Sequence, residues 1–284
     1  MAAQLTSIGV KGGPAIRPGS NMPTSFLLRL SGKNIVVDAG LGVTRGVCDA
    51  GVALDTIDLV FITHLHSDHY IELGPLIHTA WTAGLRRPIP VIGPRGLASY
   101  WAAFLQSMSF DIELRMEDEG RVQLAELCAH QVIGQGAIFR DGGLTVCAMR
   151  NVHPPIHESF ALRFEFDGRA IVLSGDTAFM PEMIAFASGA DMLVHEAMLP
   201  DGVDALCRRM KNGDARLRAH ILRSHTSAEA VGRIARDAKV KHLVLNHFVP
   251  DGDPDFGDAQ WMEAVQRSWD GPTTLGRDGL TIDI

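Results

Sequence analysis

Short apolar runs rich in β-branched residues recur along the chain: Ser25 to Leu30, Asn34 to Asp38, Leu59 to Thr63, Ile89 to Ile92, Leu144 to Met149, Phe160 to Phe166, Ala170 to Ser174, Met192 to His195 and His242 to Asn246. Bordered by Gly, Pro, Asp or Asn, runs of this length predict strands. Ser31-Gly32-Lys33 and Asp167-Gly168-Arg169 separate neighbouring runs and predict hairpins. Elsewhere the period changes from 2 to 3.6. Glu72 to Ala83 gathers Leu73, Leu76, Ile77, Ala80 and Trp81 on one side. Ser227 to Ala238 opens with a Thr/Ser cap and Glu229, then aligns Ala230, Val231, Ile234 and Ala235. The pattern predicts an α+β fold, with two sheets packed face to face and helices outside, as one domain over residues 1–284. Residues 196–224, with Arg208, Arg209, Lys211, Arg216 and Arg218, are expected to form a charged helical insertion, either a solvated face or a lid. This segment and a loop region at 100–140 are expected to shape any pocket.

Composition narrows the function classes. The 284 residues are 46% hydrophobic and 21% charged, ordinary values for a soluble globular chain able to bury a core without staples. A net charge of -7 argues against a broad basic face for nucleic acid, while leaving a local basic pocket open. Cys48, Cys128, Cys147 and Cys207 are scattered, so reduced thiols are expected rather than a disulfide framework or a thiolate zinc site. No apolar run approaches the roughly 18 residues of a membrane span. The N-terminus lacks a charged-then-apolar leader, so a cytoplasmic location with no membrane contact is expected.

The twelve histidines carry more information than the composition. The apolar run 59–63 ends in His64-Leu65-His66-Ser67-Asp68-His69, four ligand-type side chains in six positions. Packing asks for no imidazoles at the mouth of an apolar strand. Other candidates also follow strand ends: His153 after Leu144–Met149, Asp176 in Gly175-Asp176-Thr177, and His247 after His242–Asn246. If those ends meet at one edge, five histidines and two aspartates converge. One zinc takes about four ligands, so seven protein groups suit two ions sharing a carboxylate. Histidine and carboxylate donors fit zinc first, with manganese or iron as alternatives.

The His64-x-His66-x-Asp68-His69 motif, a later lone His, a Gly-Asp-Thr turn and a last His after a strand resemble the metallo-β-lactamase superfamily of hydrolases, over nearly the whole chain. The resemblance implies an αββα sandwich. It implies one metal on His64, His66 and His153, a second on Asp68, His69 and His247, and Asp176 bridging them. Asp38 resembles the aspartate that supports the metal loop without binding metal. The implied chemistry is attack by a hydroxide held between the ions, oriented by Asp68. An aspartate rather than a thiol at the bridging position argues against penicillin hydrolysis as the main role. His225, in Ser224-His225-Thr226-Ser227, resembles the ribonuclease Z and arylsulfatase-like branch, where such a histidine assists the leaving group. His195-Glu196 resembles that branch's supporting pair.

Ribonuclease Z of the short type carries a long tRNA-gripping arm between its lone His and the Gly-Asp turn. Here His153 and Asp176 are only 23 positions apart (176 − 153), room for one hairpin, so tRNA is an unexpected substrate. The expected function is hydrolysis of a phosphodiester or sulfate ester of a small molecule. A lactonase, or another ester or amide hydrolase on the same metals, is the alternative, followed by a non-catalytic metal-binding sensor and, last, an iron redox centre. Relatives of this kind are often homodimers, although no interface stripe stands out. Arg17, in Gly12-Gly13-Pro14-Ala15-Ile16-Arg17, could reach an anionic group, or the segment is a tight surface turn. His157 could line the pocket or face solvent. His78, His130, His220 and His242 have no motif context and are expected to be structural or exposed.

Overall fold

The computed structural model describes residues 3–210 and 214–284; Lys211 of the charged insertion lies outside the described residues. Sheet one contains β1 (Gln4–Gly9), β2 (Ser25–Leu30), β3 (Lys33–Val37), β4 (Ile57–Phe61), β5 (Ile89–Gly93) and β6 (Cys128–Val132), with β14 (Leu280–Asp283) beside β1. Sheet two runs in reverse spatial order from β7 (Gly136–Asp141) through β8 (Leu144–Arg150), β9 (Phe160–Phe166), β10 (Arg169–Leu173), β11 (Met192–Met198) and β12 (Leu243–Val249) to β13 (Thr273–Leu275). Both predicted hairpins are present. Their central residues Ser31-Gly32 and Asp167-Gly168 all have positive φ, the geometry that matches strand twist in two-residue turns.

Helices cover the two outer faces. On sheet one lie α1 (Val43–Asp49), α3 (Leu73–Thr82), α4 (Leu97–Ser107) and α5 (Ser109–Glu119), with the single turn α2 (Ser67–Tyr70) inside the histidine motif. On sheet two lie α6 (Glu182–Phe186), α9 (Ala228–Ala238) and α10 (Asp258–Gln266); α7 (Pro200–Arg209) and α8 (Ala215–Ser224) form a separate pair. Three apolar layers result. Leu27, Val36 and Val60 face Leu76, Ile77 and Trp81. Leu28, Ile35 and Phe61 face Leu162, Phe164 and Ile171 between the sheets. Val172, Leu193 and Leu245 face Val231, Ile234 and Trp261. Four structural layers enclosing three cores form the αββα sandwich. Each buried Leu, Ile or Phe adds about 1.5–3 kcal/mol of transfer free energy. The helix α9 begins where predicted, because Ser227 Oγ accepts from Ala230 N at 3.3 Å.

Two expectations need correction. The segment 196–224 is not helical throughout: residues 196–198 complete β11, because Val194 to Met198 pair in parallel with β12 and are fully buried. The region 100–140 is not a pocket-forming loop; it folds into α4, α5, β6 and β7. Trp101 and Ile112 seat its helices on the outer face of sheet one. Among the described residues, no helix is long and apolar enough to cross a membrane.

The topology also sets where chemistry can occur. Strands β3, β4 and β5 are parallel, as are β10, β11 and β12. The carboxyl ends of parallel strands release the chain into loops that need not alternate inward and outward. Asp38 follows β3, the histidine motif follows β4, Asp176 follows β10, and Glu196 and His247 stand two residues before the ends of β11 and β12.

Candidate metal centre

Residues from strand ends, loops and the short helix α2 meet at this edge, and their placement is strongly constrained. Asp38 and His247 adopt left-handed backbone conformations (φ 60° and 46°), uncommon for residues with a side chain and a recurrent mark of functional sites. Gly175, at φ 57°, is required before Asp176: a Cβ there would lie 2.6 Å from the Phe160 carbonyl oxygen.

The structure brings all seven sequence-selected donors together. His64 Nε2 and His66 Nδ1 are 3.1 Å apart, and His153 Nε2 approaches His66 Nδ1 at 2.9 Å. Asp176 Oδ2 lies 3.7 Å from His64 Nε2, 3.8 Å from His153 Nε2, 3.3 Å from His69 Nε2 and 3.0 Å from His247 Nε2. Asp68 Oδ2 is 3.6 Å from His69 Nε2 and 3.5 Å from His247 Nε2. Two donor groups result, His64–His66–His153–Asp176 and Asp68–His69–His247, and Asp176 touches both. A third possible set, Asp176–His225–His247, overlaps the second.

The donor set fits divalent cations. His69 Nε2 and His247 Nε2 are buried and lack a hydrogen-bond partner, although a carboxylate oxygen stands within 3.3 Å of each. Both nitrogens face the same carboxylate oxygen, Asp176 Oδ2. In a buried site this arrangement is costly unless a cation completes it. Burial pushes His66 and His153 down to about 4, helped by His153 in the case of His66 and by His225 and His69 in the case of His153, which keeps them in the neutral form a metal requires. Burial also opposes protonation of His247, but Asp176 and Asp68 outweigh it and raise the group to about 10. The carboxylates of Asp68 and Asp176 remain ionised against their burial because His69 and His247 face them. The centre is arranged around positive charge.

A supporting shell fixes the donors. Asp38 accepts from Thr63 N at 2.7 Å and faces His69 Nδ1 at 2.7 Å, so the His69 proton sits on Nδ1 and Nε2 is left to bind. This is the role the resemblance implies for Asp38. His153 Nδ1 donates to the Ser224 carbonyl at 2.9 Å. Asp68 Oδ2 accepts from Gly13 N at 2.8 Å, and a Cβ on Gly12 would reach His247 Cε1 at 3.0 Å; the glycine-rich loop therefore packs directly on the donors. Lys11, its amine turned to the Gly12 and Gly13 carbonyls, braces that loop.

His225 stacks on His247, ring centroids 5.4 Å apart at 21°. Its Nδ1 faces Glu196 Oε1 at 3.3 Å, and the same oxygen accepts from Thr177 N at 3.1 Å and Thr226 N at 3.0 Å. The expected His195–Glu196 pair is thereby split. Glu196 supports His225, whereas the buried His195 ring bonds only the Glu196 carbonyl, at 2.7 Å, and supports none of the donors. His157 is exposed and does not line the cavity; His78 pairs with Asp111, and His242 with Thr274. His130 lies on β6, also away from the cavity. His220 departs from expectation: it lines the cavity, its ring 5.9 Å from that of His66. The spacing Leu217, His220, Ile221 on a helical stretch was the signal available for it.

A cavity of about 290 Å³ opens onto the centre, bounded by the loop 11–17 on one side and by α7 and α8 on the other. The family model described as anti-Pycsar protein Apyc1 matches residues 3–247. A ribonuclease Z from Mycobacterium bovis (strain BCG) is 30% identical over 286 aligned positions, covering 99% of this chain and 98% of that protein. The metallo-β-lactamase fold protein YhfI from Bacillus subtilis superposes with a TM-score of 0.73 at 19% identity, covering all of both chains. Human tRNase Z, short form, gives 0.69 at 21% identity over 99% of each chain. The chain thus belongs to the family of the anti-Pycsar protein Apyc1 and, with its ribonuclease Z relatives, to the metal-dependent hydrolases of the metallo-β-lactamase fold.

Proposed function

We propose that the protein is a dinuclear phosphodiesterase acting on a small molecule, with two zinc ions held by His64, His66 and His153 and by Asp68, His69 and His247, and with Asp176 shared. The observation that carries this reading is the single oxygen, Asp176 Oδ2, placed within 3.0–3.8 Å of four imidazole nitrogens from both donor groups. Bound divalent ions would supply an activated water near neutral pH and would neutralise charge on the phosphoryl oxygens. Asp68, steadied by Gly13 N, orients the attacking water. His225, its Nδ1 turned to Glu196, presents Nε2 to the cavity and delivers a proton to the departing oxygen. Arg17 at the mouth meets the anionic ester.

Between His153 and Asp176 the chain folds into a proline turn and the β9–β10 hairpin, which supports a small substrate over tRNA. The ribonuclease Z relatives make tRNA the necessary comparison. The test assays zinc-loaded protein on bis(p-nitrophenyl) phosphate, a cyclic mononucleotide, p-nitrophenyl sulfate, an acyl-homoserine lactone and a precursor tRNA. Turnover of the small phosphodiesters well above the others is expected. Turnover of the lactone alone, or of precursor tRNA alone, would overturn the reading.

A further inference from the structure

Behind the donors lies a second, smaller cavity of about 20 Å³, lined in part by Asn246, Glu196 and His247. Asn246 and Glu196 are register partners across β12 and β11. Val244 and Val194, two residues earlier on the same strands, sit in the core between the sheets, so by alternation Asn246 and Glu196 face that space too. Both are buried, at 2% and 3% exposure. Neither Nδ2 nor Oδ1 of Asn246 has a hydrogen-bond partner, and Glu196 Oε2 and His247 Nδ1 lack one as well. Buried polar groups seldom stay unpaired, and here they gather around one space.

The hydroxyls lining the same cavity are already committed. Thr24 Oγ1 donates to the Lys11 carbonyl at 3.3 Å, Thr63 Oγ1 to Asp38 at 2.9 Å and Ser174 Oγ to the Gly175 carbonyl at 2.6 Å. Asn246 Oδ1 leans toward β13, where a Cβ on Gly276 would meet it at 3.1 Å, whereas Glu196 lies on the other side of β12. Nδ2 is thus the donor left for Glu196, and the two groups do not bond directly. A single water needs roughly 10–15 Å³ and two to four polar partners, which this space supplies. The carboxylate is otherwise held by Oε1 alone, on Thr177 N, Thr226 N and His225 Nδ1. Held by one oxygen, it can pivot about its last side-chain bond, a torsion with only a broad preference. Such a pivot would shift the residue after the shared Asp176 and, with Thr226, the His225 ring.

We propose that Asn246 is a positioning residue: through one water in this cavity it holds Glu196 Oε2, and so fixes the His225 imidazole against the departing oxygen. The water accepts from Asn246 Nδ2 and His247 Nδ1 and donates to Glu196 Oε2. His247 Nε2 is then left for the cation, as an outer partner leaves it in other metal-bound histidines. What His225 does in this scheme rests on the phosphodiesterase reading above; the bridge itself does not.

The experiment has a kinetic and a structural arm. At saturating zinc, Asn246→Leu should lose about 10- to 100-fold in kcat on methyl phenyl phosphate. It should lose less on methyl p-nitrophenyl phosphate, whose leaving oxygen needs the His225 proton less. Asn246→Ser, which retains a short donor and leaves room for a second water, should recover most of the rate. In a His225→Ala background, Asn246→Leu should cost less than about threefold more, because the two residues act as one unit. Equal losses on both esters, or the full loss again in the His225→Ala background, would mark general damage and overturn the positioning role; so would an unchanged rate. The structural arm needs no turnover. High-resolution diffraction from metal-stripped wild type should show one water within about 3.2 Å of Asn246 Nδ2 and Glu196 Oε2. A cavity without that water, or the two side chains in direct contact, overturns the bridge whatever the kinetics. Failure of zinc-loaded wild type to hydrolyse either ester removes the phosphodiesterase reading instead, and diffraction still decides the bridge.

Discussion

Replacing Asp38 by Asn changes one atom and one charge, and its expected effect can be worked from the geometry. One carboxylate oxygen accepts from Thr63 N at 2.7 Å; the other faces His69 Nδ1 at 2.7 Å and Thr63 Oγ1 at 2.9 Å. An asparagine can keep its oxygen on Thr63 N only by turning its amide N–H toward His69 Nδ1. To accept it, His69 must move its own proton to Nε2, the atom aimed at Asp176 and Asp68. The tautomer that results cannot bind a cation. Loss of a supporting partner of this kind typically costs 10- to 100-fold in metal affinity, or about 1.4–2.7 kcal/mol. The lost charge-assisted hydrogen bond adds about 1.5–3 kcal/mol of destabilisation that persists without metal. The assay is a chelator-competition titration of Asp38→Asn and wild type, with thermal unfolding of the metal-loaded and stripped forms. An affinity within twofold of wild type would refute the assignment of Asp38 as the group that sets the His69 tautomer.

Two further substitutions separate binding from chemistry. Asp176→Ala removes the oxygen common to both donor groups, so emission spectrometry should find at least one metal lost per chain, together with most activity; two retained ions would remove Asp176 as the bridge. His225→Ala should retain both metals and lose roughly 10²–10⁴-fold in kcat, the usual range for a positioned acid. Unchanged turnover would take His225 out of the mechanism.

The parts of the fold most legible in sequence were those with a simple burial pattern. Strands such as β2 and β9, and the amphipathic α9, matched their predicted ranges within a residue because one face or both meet a core. The edge strand β6 reads Cys-Ala-His-Gln-Val and is buried nowhere along its length, so no alternation marked it. Helices α4 and α5 bury only Leu97, Trp101 and Ile112 among them, too few positions to impose a visible period.

The donors were legible for a different reason. His64, His66, Asp68, His69, His153 and Asp176 follow apolar strands and His247 stands two residues before the end of β12, places where packing gives no reason for an ionisable group. Glu196 and His220 were harder. Glu196 stands in a buried strand whose later half was read as helix, and its partner His225 is 29 positions away. His220 sits among arginines that suggested a solvated face. Only the tertiary placement of α8 shows that the charged and apolar sides of that helix face opposite directions.

The most direct measurement is anomalous diffraction at the zinc edge from crystals of protein purified without added chelator. Two peaks about 3.5–4 Å apart are expected, one among His64, His66 and His153 and the other among Asp68, His69 and His247, with Asp176 touching both. A single peak, or peaks elsewhere in the molecule, would contradict the dinuclear centre on which the proposed chemistry depends.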